Sequence, residues 1–241
     1  MAAAKVGPSI DKAINLALKS YGFKKKRSSA WCKETDKLCY MIFRRGVTKP
    51  YADYITRVPS FSFVITFCLY FKFIPNPSAD HRAFYTFEEG ECRFRISLAP
   101  SNQPVEVAKM RNKSLWYVRP DESNLPEVIE DVLEKIENVG LPFFETYSDL
   151  ENVFSAMYNK GDNDGDIFGW GNCGSPLYNL NLGYISRELG RKKLALQLFK
   201  KVMNEVNEPY FPRLVQQAGS MNVPSTFIKS DYEKLKAELE P

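Results

Sequence analysis

The stretch 60–72 alternates with period two along its whole length. Phe61, Phe63, Ile65, Phe67, Leu69 and Phe71 fall on one side, and Ser62, Val64, Thr66, Cys68, Tyr70 and Lys72 on the other. Successive side chains of a pleated strand point to opposite faces, so this segment buries its large apolar groups together only as a β-strand against a packed layer. One strongly apolar face predicts helices on that side and a partly wet surface on the other.

Shorter segments surround it with the same period. Residues 25–33 and 37–44 read as a hairpin joined through Glu34, Thr35 and Asp36. Residues 91–98 place Cys92, Phe94, Ile96 and Leu98 inward and Glu91, Arg93, Arg95 and Ser97 outward, and residues 113–119 form a short strand around Trp116. Ahead of these, Ile10, Ala13, Ile14, Ala17, Leu18 and Tyr21 recur at helical spacing over 8–21, with Gly22 as the stop.

Near Pro120 both pattern and charge change. Residues 1–120 hold 21 Lys+Arg against 9 Asp+Glu, whereas residues 121–241 hold 12 against 20. Val128, Ile129, Val132, Leu133 and Ile136 make a helical stripe clothed in acids, with Ser123 or Asn124 as the cap, Pro126 in the first turn and Gly140 as the end. A second helix over 148–158 turns Leu150, Val153, Phe154 and Met157 inward. Further helices are expected near 176–189, 191–206, 209–218 and 229–239. The dense aromatics Phe143, Phe144, Tyr147 and Phe154 read as core between helix and sheet, with a partner groove as the other reading.

The expected fold is therefore α+β: a mostly antiparallel, twisted sheet of about five strands packed by helices, with a C-terminal helical extension. The domain organisation reads as an α+β domain over 1–160, a Gly/Asp/Asn loop over 161–175 and the helical extension over 176–241. The first residues contain no unbroken apolar run of signal-peptide length, and the longest apolar-looking run is interrupted by Ser62, Thr66 and Lys72. The reading is a cytoplasmic protein with no membrane segment.

The residues that carry chemistry are few. Cys32, Cys39, Cys68, Cys92 and Cys173 are odd in number and show no CxxC spacing, so they read as buried reduced thiols, and with His81 as the lone histidine no metal site and no cofactor is expected. GDNDGD over 161–166 offers Asp162 and Asp164. Lys160 and Gly171 stand where a calcium loop needs ligands, so it reads as a polar linker. GxSxG, HExxH and Walker motifs are absent from the sequence. The basic run Lys24, Lys25, Lys26 and Arg27 is the candidate binding element, set against a solvated strand entry that discourages edge pairing. If Trp31, Arg93 and Arg95 share its face, the group has the composition of a single-stranded nucleic-acid platform.

Three stretches resemble the bacterial domain-of-unknown-function family 4304. They are the helix ending in GFKKKR with its following strand (10–31), FCLYFKF at 67–73 with ECRFRISL at 91–98, and LWYVRPDESNLPEVIEDVLEKIENVGLPFFETYSDLENVF at 115–154. The family pattern has a histidine after the cysteine where this chain has Arg93, so no role of that histidine carries over. The resemblance covers about residues 8–160 and implies a fold class rather than an activity. Beyond it, Leu182-Gly183, Leu189-Gly190, Ala195 and Phe199 resemble one tetratricopeptide-like helical hairpin.

The function expected from these features is a non-catalytic protein-binding module, with an immunity-like or antitoxin-like role in bacterial conflict as one version. Nucleic-acid binding through a basic sheet face is the second reading, and an enzyme of unknown class the third. The oligomeric state is not legible.

Overall fold

The structure is a computed structural model that describes residues 3–27, 29–46, 62–75, 92, 94–103, 113–119, 121–160, 167–171, 173–206 and 225–239. The fold is α+β, with an antiparallel sheet and a C-terminal helix. It divides into two compact units, residues 1–70 with 95–146, and residues 71–94 with 147–241.

The first unit opens with helix α1 (Ala3–Lys19). Val6, Ile10, Ile14 and Leu18 recur at three- and four-residue steps and are buried. Gly22 reverses the chain at a φ of 80°, a conformation in which a β-carbon is strained. The strands then follow as β1 (Lys24–Arg27), β2 (Ala30–Glu34), β3 (Leu38–Gly46), β4 (Ser62–Phe71), β5 (Phe94–Ser97) and β6 (Trp116–Tyr117). Their lateral order is β1-β2-β3-β4-β5, with β6 paired to β4. The single strand expected over 25–33 is in fact two. The chain folds back between Arg27 and Ala30, which are register partners, and β1 and β2 pair antiparallel with a bulge between Lys25 and Arg27.

Both faces of β4 are largely buried, and the expected partly wet side is reduced to the half-buried Val64 and, just past the strand, Lys72. Ser62, Thr66, Cys68 and Tyr70 are as enclosed as Phe63 and Phe67. Small hydroxyl and thiol groups enter a core at little cost when bonded, as Thr66 Oγ1 is to Ser97 Oγ at 3.5 Å, so alternation in polarity overstates alternation in exposure.

Helix α2 (Leu125–Lys135) begins at Asn124, whose side chain makes no capping bond. It reaches back to β6 instead, accepting from Arg119 N–H at 2.8 Å and donating to the Tyr117 carbonyl at 3.0 Å. The helix does not stop at Gly140. A π-helical turn (Ile136–Gly140) carries it into α3 (Leu141–Tyr147). Pro142 has no N–H to continue the ladder, and the wider turn takes the axis past it. A β-carbon on Gly140 would come within 2.5 Å of the Phe67 ring, so glycine is required there for close approach of helix to sheet. The Phe144 ring is the centre of this packing, 4.9 Å from Phe67, 5.2 Å from Tyr40 and 5.9 Å from Phe23.

The second unit contains helix α4 (Leu150–Lys160), the short strand β7 (Ile167–Phe168) and helices α5 (Pro176–Glu188), α6 (Lys192–Val206) and α7 (Ser225–Leu239). Trp170 and Tyr147 both lie 4.8 Å from Phe94. Ser175 caps α5, accepting from Tyr178 N–H at 3.3 Å, with Pro176 in the first turn. Gly190 ends it at a φ of 74° in a Schellman arrangement, with Arg191 N–H donating to Ser186 and Gly190 N–H to Arg187. The tight α5–α6 hairpin depends on Gly183, where a β-carbon would meet the Phe199 ring at 2.6 Å. The expected helix at 209–218 and the GDNDGD segment lie outside the described residues.

Candidate functional site

The basic run occupies β1, the terminal strand of the sheet order. Lys24, Lys25 and Lys26 are exposed. Register pairs Lys25 with Trp31 and Lys24 with Cys32, so consecutive lysines alternate across the sheet and line its edge rather than one face. Lys26, at the bulge, is 3.8 Å from Glu34. Arg27 closes the strand.

The other residues of the expected platform do not join this edge. Trp31 is 1% exposed, and its indole N–H donates to Asn15 of α1 at 3.3 Å. It supports Lys25, whose ammonium is 5.9 Å from the ring centroid, but offers no surface on which a base can stack. Arg95 is on β5, with β2, β3 and β4 between it and β1, roughly 19 Å away at ordinary strand spacing. Arg93 and His81 lie outside the described residues. The aromatics Phe143, Phe144 and Phe154 are buried and form core.

Beside the lysine edge the structure assembles a group whose partnership the cysteine spacing does not announce. In the β2–β3 hairpin Glu34 pairs with Cys39 and Cys32 with Met41. Cys32 and Cys39 are therefore diagonal neighbours on one face, with their sulfurs 2.9 Å apart. Glu34 Oε1 is 3.7 Å from Cys32 Sγ. Cys32, Glu34 and Cys39 bring their ligand atoms within 4.8 Å of one another. The hydrogen bond with Cys39 holds the Cys32 thiol below its ordinary pKa, opposed by burial and by Glu34 and assisted by Lys26. The signal lies in the hairpin itself: Cys32 and Cys39 flank its turn two residues out of direct register, the offset that puts both on one face.

All five cysteines are free thiols, four buried and Cys173 exposed. For a tetrahedral zinc the two sulfurs would stand about 3.8 Å apart, so the observed pair is too close to be a preformed zinc site.

No protein family, curated protein or solved structure matches the chain. The fold and site define an α+β protein with a basic sheet edge and a dithiol corner, and the resemblance to family 4304 rests on the sequence motifs alone. Among the described residues, no helix is long and apolar enough to cross a membrane.

Proposed function

We propose that this chain is a non-catalytic protein-binding module whose β1 edge engages an extended acidic segment of a partner protein. The observation that carries the reading is the row of exposed lysines at 24–26 on the terminal strand. A polypeptide lying along the edge meets all of these charges, and adding a strand there uses main-chain hydrogen bonding for affinity and the lysines for selection. A nucleic-acid platform needs aromatic and basic groups on one face; the burial of Trp31 and the distance of Arg95 count against it. An immunity-like or antitoxin-like role in bacterial conflict is one version of this reading, by analogy with other small non-catalytic binding proteins.

The test uses the whole chain and a K24E/K25E variant, which leaves the Lys26–Glu34 pair in place. Affinity capture from a native-like host should recover a stoichiometric protein partner with an acidic segment. The variant and raised salt should release it. A chain recovered alone, or one that binds oligonucleotides with a steep salt dependence, overturns the proposal.

A further inference from the structure

We infer that Cys32 and Cys39 are a reversible dithiol–disulfide pair, a modification site that staples the β2–β3 hairpin in response to a low-molecular-weight disulfide such as oxidised glutathione. This inference does not depend on the protein-binding reading.

The geometry favours oxidation over metal binding. A disulfide joins its sulfurs at about 2.05 Å, so the pair at 2.9 Å has only about 0.9 Å to close, whereas zinc would require it to open by a similar amount. The diagonal placement is held by the antiparallel register on both sides of a short turn, in which Thr35 N–H donates to the Leu38 carbonyl at 2.9 Å and Leu38 N–H to Thr35 Oγ1 at 3.1 Å. The two thiols are thus kept together by the backbone.

The reaction balances with a disulfide oxidant. The Cys32 thiolate attacks one sulfur of the oxidant, forming a mixed disulfide and expelling one thiolate. Cys39 then loses its proton and attacks Cys32 Sγ, forming the Cys32–Cys39 bond and expelling the second thiolate. The protein loses two electrons and two protons, and the oxidant is reduced to two thiols. Cys32 is the attacking group because its thiolate is favoured by Cys39 and Lys26. Cys32 is also 5% exposed while Cys39 is fully enclosed, so an oxidant meets Cys32 first. Lys26 and Glu34, both partly exposed, stand beside the Cys32 sulfur, one raising and the other lowering its thiolate fraction.

The full chain should be equilibrated in glutathione buffers of increasing oxidation, then alkylated and mapped by mass spectrometry. Cys32 and Cys39 are expected to lose reactivity together, to appear as one linked peptide, and to recover fully with dithiothreitol. A C173S variant should behave as the native chain does. In C39S, Cys32 should accumulate a glutathione adduct, whereas Cys39 in C32S should stay unmodified. K26Q should slow the first step severalfold at neutral pH without changing the product. If Cys32 and Cys39 remain alkylatable in buffer that fully oxidises a control dithiol, the inference is wrong. One equivalent of zinc bound by the reduced chain, with both thiols protected, would also overturn it. The native-chain arm stands even where a cysteine variant fails to fold.

Discussion

Asp11 and Arg44 form a two-pronged ion pair between α1 and β3, with Arg44 Nε 2.6 Å from one carboxylate oxygen of Asp11 and Nη2 3.3 Å from the other. Their side chains are only 6% and 11% exposed, and Arg44 Nη2 also donates to Ser29 Oγ. The pair joins the opening helix to the β2–β3 hairpin that carries the dithiol and against which the basic strand β1 pairs. Asp11 holds a position of the helical face that also carries Ile14 and Leu18, so a charge on an apolar stripe was its signature in the sequence.

Removing one member of such a pair strands the other. D11A should destabilise the chain by about 3–5 kcal/mol, because Arg44 loses its counter-ion in an enclosed place. Replacing both, as in D11L/R44M, should recover most of that loss. Chemical denaturation of the three proteins checks this; a D11A midpoint equal to that of the native chain would show that the pair contributes nothing.

Two glycines set how closely layers approach. G140A drives a methyl group into the Phe67 ring and G183A drives one into Phe199. Each should cost about 1–3 kcal/mol by overpacking, even though alanine is the better helix former. Pairing each with a smaller partner, G140A/F67L and G183A/F199L, should cost less than the sum of the two single changes, as read from thermal midpoints. Simple additivity would mean that the glycines are not there for close approach.

Asp131 accepts from the Trp116 indole N–H at 2.8 Å and from Ser101 N–H at 3.1 Å. It belongs to the acidic clothing of α2, yet it ties that helix to β6. D131A leaves the indole N–H of a buried tryptophan without this acceptor and should cost about 1–3 kcal/mol. E130A and E134A, on exposed positions of the same helix, should change stability by less than about 0.5 kcal/mol. Urea denaturation followed by tryptophan fluorescence compares the three; equal losses would sink the distinction.

In the helical unit, Tyr184 donates to Asp231 at 2.8 Å, with Arg187 3.5 Å from the same carboxylate. Burial, then the bond to Asp231, pushes the phenol well above its ordinary pKa. The folded chain therefore keeps a proton that the unfolded chain gives up near pH 10. This contribution to stability is fully present below that pH and is lost as pH rises toward the raised folded value. The native chain should lose stability faster than Y184F between about pH 9 and about pH 11. Parallel curves in denaturant titrations would count against the assignment.

Much of the architecture was legible because it follows from local period. The 3.6-residue stripe of α1, the two-residue alternation around Phe67 and Phe94, and the helical run of the α5–α6 pair each report one element's buried side. The limits were equally physical. A period says which side chains share a face but not what covers the other face, so Thr66 and Cys68 read as half-wet and are buried. A helix-stop residue such as Gly140 looks the same whether it ends a helix or admits a ring.

The sequence by itself determined the class of fold, the helical and extended segments and the concentration of positive charge before Pro120, because these depend on residue type and spacing along the chain. The tertiary structure alone decided which basic residues are neighbours, that Trp31 is enclosed, and that Cys32 and Cys39 touch. Those are facts of strand register and lateral order, and a shift of a single residue in register would send the side chains of β2 to the opposite face and separate the two sulfurs.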